Sequence, residues 1–97
     1  MLVIPAAWFS GEHKVDHWRT LLKARAVENT VWVAAADTCS DGTVGHSMIV
    51  DPLALPVAEL ADEREAVVTA EVTRERIDEV RELSLIHISE PTRLRRI

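Results

Sequence analysis

The strongest constraint on this chain is a helical apolar repeat set between two β-forming runs. Val15, Trp18, Leu21, Leu22 and Ala26 recur at the three- and four-residue spacing that lines one face of a helix. Asp16 lies in the first turn, where a carboxylate meets the positive end of the helix dipole, and Lys23 and Arg25 lie toward the other end. Asn29 is the expected stop, because asparagine tolerates the left-handed backbone that a C-cap asks for. Ahead of the helix, Leu2-Val3-Ile4 is a continuous apolar run suited to a strand buried on both faces, ended by Pro5. Behind it, Thr30 to Ala36 is β-branched and aromatic, then small, and reads as a second buried strand.

The remaining segments follow the same logic. Ala6 to Lys14, with Ser10-Gly11 inside it, is a loop, and Asp37 to Thr43 is turn chemistry. His46 to Val50 forms a strand ended by Asp51-Pro52, Val57 to Leu60 a short one, and Ala66 to Val72 a longer one. Thr73 is the expected N-cap of a last helix, whose stripe is Ile77, Val80 and Leu83 and whose Arg74 and Asp78 stand four apart. The class is mixed α/β, with helix and sheet packed in layers so that each buries its apolar face.

Composition narrows the function. A chain of 97 residues holds one domain at most, which excludes a self-contained Rossmann or barrel enzyme. Its net charge of −5 argues against nucleic acid as a partner, since a nucleic-acid binder presents a basic face. The single cysteine makes no internal disulfide. The start, Met1-Leu2-Val3-Ile4-Pro5, has neither the basic lead nor the apolar length of a signal peptide, and no apolar stretch is long enough to span a bilayer. The expected compartment is the cytoplasm, with no membrane partner.

Charge is uneven along the chain. Residues 1–82 carry 8 Lys/Arg against 15 Asp/Glu, a net of −7, while the end carries Arg93, Arg95 and Arg96 against Glu90. The end has its own explanation. Leu83-Ser84-Leu85-Ile86-His87-Ile88-Ser89-Glu90-Pro91-Thr92-Arg93 back-translates codon by codon into a sequence resembling a transposase-type library adapter. Residues 83–97 are therefore expected to be an artefactual tail, and its arginines say nothing about partners.

Four stretches form an ordered set: Pro5-Ala6-Ala7-Trp8; His17-Trp18; Arg25-Ala26-Val27-Glu28-Asn29-Thr30-Val31-Trp32-Val33; and Gly45-His46-Ser47-Met48-Ile49-Val50-Asp51-Pro52. Together they resemble the C-terminal part of the nitrilase superfamily of carbon–nitrogen hydrolases, over residues 1 to about 82. The resemblance implies a partial, incomplete α-β-β-α sandwich of the nitrilase type (strand, helix, strands, helix). It also implies a parent that pairs as a homo-oligomer and hydrolyses small linear amides, nitriles or carbamoyl compounds without a cofactor. Such chemistry uses a cysteine thiolate as nucleophile, a glutamate as general base and a lysine at the developing oxyanion. In the family pattern all three precede the Pro-Ala-Ala-Trp segment, so the catalytic residues are expected to lie outside this chain. Departing from that pattern, Asp51-Pro52 is followed by Leu53-Ala54-Leu55-Pro56 in place of a glycine-containing turn.

Among residues present, Trp8 and Phe9 are the candidate substrate-binding pair, the alternative being that they are core aromatics. They follow a strand end, where loops of α/β sheets line pockets, and by resemblance they shape the acyl side of the site. Cys39 lies in a turn outside the context of the family nucleophile, and reads as incidental even if His46 approaches it. His13 and His17 stand four apart, but His13 precedes the helix, so no metal site is expected. Arg25 and Glu28 read as a buried or half-buried ion pair, or as partners for backbone at a strand edge. By resemblance, the loop that carries Trp8 and the short helix favour the branch that acts on small ω-amides over bulky nitriles. The competing reading is a small non-catalytic α/β module for dimerisation or interaction.

Overall fold

The computed structural model describes residues 1–61 and 65–83. In chain order it contains β1 (Leu2–Ala6), α1 (Lys14–Asn29), β2 (Val33–Asp37), β3 (Met48–Val50) and β4 (Pro56–Glu59), and then a helix, α2, over residues 74–83. The strands form one sheet in the order β1-β2-β3-β4. β1 pairs parallel to β2, from Leu2 opposite Val33 to Ala6 opposite Asp37, with α1 as the crossover. The pairs β2–β3 and β3–β4 are antiparallel, with Ala35 opposite Met48 and Met48 opposite Glu59.

The core lies between α1 and one face of this sheet. Trp18, Leu22 and Ala26, four residues apart along α1, pack on Val33, Ala35, Met48 and Val50. Ile4, Ala6, Trp8 and Val31 close its margin. The buried stripe is narrower than the repeat predicted: Val15 and Leu21 are exposed, since the described sheet reaches only one side of the helix. Trp32 is buried elsewhere, and its Nε1–H donates to the Thr73 carbonyl at 2.8 Å, tying the start of α2 to the segment before β2. Thr73 is the N-cap, its Oγ1 accepting from the Arg76 N–H at 3.2 Å.

Several expectations need correction. β1 is not buried on both faces: Val3 is 63% exposed, because α1 covers one face only. Pro5 lies inside β1 instead of ending it, which an edge strand permits. The left-handed residue at the end of α1 is Thr30, at φ +51°, and not Asn29, whose side-chain amide instead donates to the Arg25 carbonyl at 3.0 Å. Ala66 to Val72 takes no strand. Ala66, Val67 and Val68 border, with Val3, Ala34 and Ile49, a hollow of about 290 Å³. Arg25 and Glu28 do pair, at 3.1 Å, but on the exposed side of α1, where such a pair contributes little. Among the described residues Arg76, not Arg74, makes the ion pairs of α2, to Asp51 and to Glu79, each at 3.0 Å.

The expected tail lies, from residue 84 onward, outside the described residues. Among the described residues no helix is long and apolar enough to cross a membrane.

Candidate functional site

Parallel pairing of β1 and β2 sends both chains out of the same edge of the sheet, so the segments after Ala6 and after Asp37 meet there. This is the end of an α/β sheet where pockets form. The two segments are joined along their length. Thr38 N–H donates to the Ala6 carbonyl at 3.0 Å, Val44 N–H to the Trp8 carbonyl at 2.9 Å, and Ser10 N–H to the Gly42 carbonyl at 2.8 Å. Phe9 and Thr43 form an isolated antiparallel bridge.

Trp8 and Phe9 sit on this joined segment but face apart, as consecutive residues of extended backbone do. Trp8 is half-buried against the core, its ring centroid 5.6 Å from that of Trp18 and its Nε1–H donating to the Lys14 carbonyl at 2.8 Å. With Lys14, His17, Thr20 and Leu21 it lines a hollow of about 310 Å³, and the Lys14 ammonium stands 5.6 Å over its ring. Phe9 is 70% exposed. The pair that sequence treats as one feature is thus two: an anchored indole that borders the hollow and an exposed phenyl ring on the other side of the same segment.

The longer loop is folded on itself. Thr43 Oγ1 lies 2.5 Å from the Thr38 carbonyl and 2.8 Å from that of Ser40, and accepts from the Ser40 N–H at 3.1 Å. Cys39, on this loop, is exposed. His46 makes no catalytic pair with it: the imidazole is buried and its Nε2 engages the Glu59 carboxylate, while the His46 carbonyl accepts from Trp18 Nε1–H at 2.6 Å. Arg19 Nε donates to the same carboxylate at 3.0 Å. Burial works against the charge on Glu59, but hydrogen bonds from His46 and Arg19, and then their charges, outweigh it and hold the carboxyl below its ordinary value. His13 sits in left-handed backbone at the start of α1, with its ring centroid 6.5 Å from that of His17 and its Nε2 3.5 Å from Glu12. Among the described residues no three His, Cys, Asp or Glu side chains gather as metal ligands would.

Sequence reasoning missed the Arg19–Glu59–His46 cluster and Asp37. Arg19 and Glu59 are 40 positions apart, and only the fold joins them. Asp37 carried a readable signal, a lone carboxylate closing the apolar run Val31-Trp32-Val33-Ala34-Ala35-Ala36 just before a loop.

Fold and loop cluster together define an α/β layer whose loops gather at the carboxyl ends of its parallel strands. The model of the carbon-nitrogen hydrolase family matches residues 1–82, and the chain belongs to that family. It is 46% identical over 81 residues to the deaminated glutathione amidase of Escherichia coli O157:H7, covering 84% of this chain and 30% of that protein. It is 40% identical over 86 residues to the 2-oxoglutaramate amidase of Bacillus subtilis, covering 84% of this chain and 32% of that one. Among solved structures it resembles Saccharomyces cerevisiae Nit3, a member of branch 10 of the nitrilase superfamily, with a TM-score of 0.72 and 31% identity over 84% of this chain and 32% of that chain. The chain thus spans about a third of the length of these relatives.

Proposed function

We propose that this chain forms the closing part of an amidase that cleaves the C–N bond of small linear amides by cysteine acyl transfer, residues 1–82 being the family segment. The observation that carries the reading is the 46% identity to an amidase across 84% of the chain. In this chemistry a thiolate attacks the amide carbonyl carbon, and the tetrahedral oxyanion is held by a lysine. The amine leaves with a proton from the glutamic acid, and water then releases the carboxylic acid and the thiol. On the family pattern those three residues precede Pro5-Ala6-Ala7-Trp8, so this segment supplies a pocket wall through Trp8 and Phe9. Amides are favoured over nitriles because both relatives named above are amidases. The parent enzyme works as a homo-oligomer in the cytoplasm. Cys39 is no nucleophile in this reading, since the nearest imidazole in sequence, His46, is buried and engaged by Glu59.

Two assays test this. The chain alone should not hydrolyse deaminated glutathione. Grafted in place of the matching segment of the Escherichia coli amidase, residues 1–82 should sustain turnover. Hydrolysis by the chain alone that disappears in Cys39→Ala would overturn the reading, as would a well-folded but inactive graft.

A further inference from the structure

Asp37 ends β2 with its carboxylate buried, the residue being 9% exposed. No lysine, arginine or histidine pairs with it among the described residues. Its oxygens are taken by two main-chain amides from different loops: Trp8 N–H donates to Oδ1 at 2.6 Å and Gly45 N–H to Oδ2 at 2.9 Å. Its own N–H donates to Ser47 Oγ at 2.9 Å, which fixes the backbone that carries the carboxylate. A buried carboxylate without a counter-ion is costly unless hydrogen bonds satisfy it, and here the bonds come from the two segments that meet beyond the carboxyl ends of β1 and β2.

We infer that Asp37 is a positioning residue: its carboxylate clasps the Trp8 segment to the Gly45 segment and so sets where the Trp8 indole stands in the pocket wall. Only a group with two acceptor oxygens does this. An asparagine offers one acceptor and turns an NH2 toward the second amide, so Asp37→Asn releases one loop while leaving size and shape nearly unchanged. Ser47→Ala removes the support behind Asp37 but neither acceptor, and is the control. That the clasp governs substrate fit rests on the amidase reading; that it governs loop position does not.

The loop-position test is amide hydrogen exchange on the isotope-labelled full chain, followed together with the far-ultraviolet exciton signal of the Trp8–Trp18 pair. In Asp37→Asn the Trp8 or the Gly45 amide should exchange about tenfold faster, as expected for loss of a hydrogen bond to a charged acceptor. The exciton signal should weaken, with the α1 amides unchanged. In Ser47→Ala the Trp8 and Gly45 amides should keep their rates. Unchanged Trp8 and Gly45 rates in Asp37→Asn, or equal acceleration across β2 and α1, would overturn the inference. In the active graft, Asp37→Asn should raise KM about threefold or more with kcat little changed, the signature of a displaced binding wall. An inactive unsubstituted graft counts against the amidase reading and leaves the exchange result to decide the clasp.

Discussion

Ala54 stands at φ +67° in the turn between β3 and β4, a left-handed conformation that an alanine side chain resists. The turn tolerates it because Asp51 organises the rest. Asp51 Oδ1 accepts from the Leu53 and Leu55 amides, both at 2.9 Å, and Oδ2 from Arg76 Nε at 3.0 Å. The position is thus one where a glycine fits better than the residue present. Ala54→Gly should raise stability by about 0.5–1 kcal/mol, the relief of strain exceeding the extra unfolded-state freedom of glycine. Urea unfolding should show a higher midpoint at unchanged slope, and a lower midpoint would contradict the account. Thr30, also left-handed, is held differently: the amide of Val31 returns to the Ala26 carbonyl at 3.1 Å and closes the end of α1.

At the scale of elements, α2 owes its start to one hydroxyl. Thr73→Ala removes the cap on the Arg76 amide but leaves the Thr73 carbonyl, so the bond from Trp32 survives. The expected cost is about 1 kcal/mol, seen as a lower thermal midpoint with the near-ultraviolet signal of Trp32 retained. That cap was legible in sequence because a threonine before an apolar stripe is local information. α1 and the segments around β2, β3 and β4 were legible for the same reason, each being announced by its own periodicity or β-branched run. The failures were of another kind. Ala66 to Val72 has strand composition, but a strand needs an open edge beside it, and composition does not report edges. Val3 looks like a core residue until the sheet shows that α1 covers only the face of Ile4 and Ala6. For the site, sequence picked out Trp8 but could not show that Phe9 faces away from it, nor that Asp37 receives amides from positions 8 and 45.

Across the whole molecule, the Glu59 carboxylate joins α1, through Arg19, to β4 and to the buried His46 ahead of β3. Its pKa is depressed on folding, so its contribution to stability is full above the ordinary glutamate value of 4.5 and is lost as pH falls through the lower folded value. The chain should therefore lose unfolding free energy on acidification below that ordinary value, and Glu59→Gln should flatten this acid limb. An acid limb identical in Glu59→Gln would show that other groups carry it. The sheet topology also has a consequence in time. Met48 meets Glu59 across a tight turn, but Leu2 meets Val33 only once all of α1 has been laid between them. The entropy of closing a loop grows with its length, so the β3–β4 hairpin assembles early and β1 docks late. The Trp8 segment follows directly on β1, so this wall of the pocket is among the last parts of the chain to be put in place.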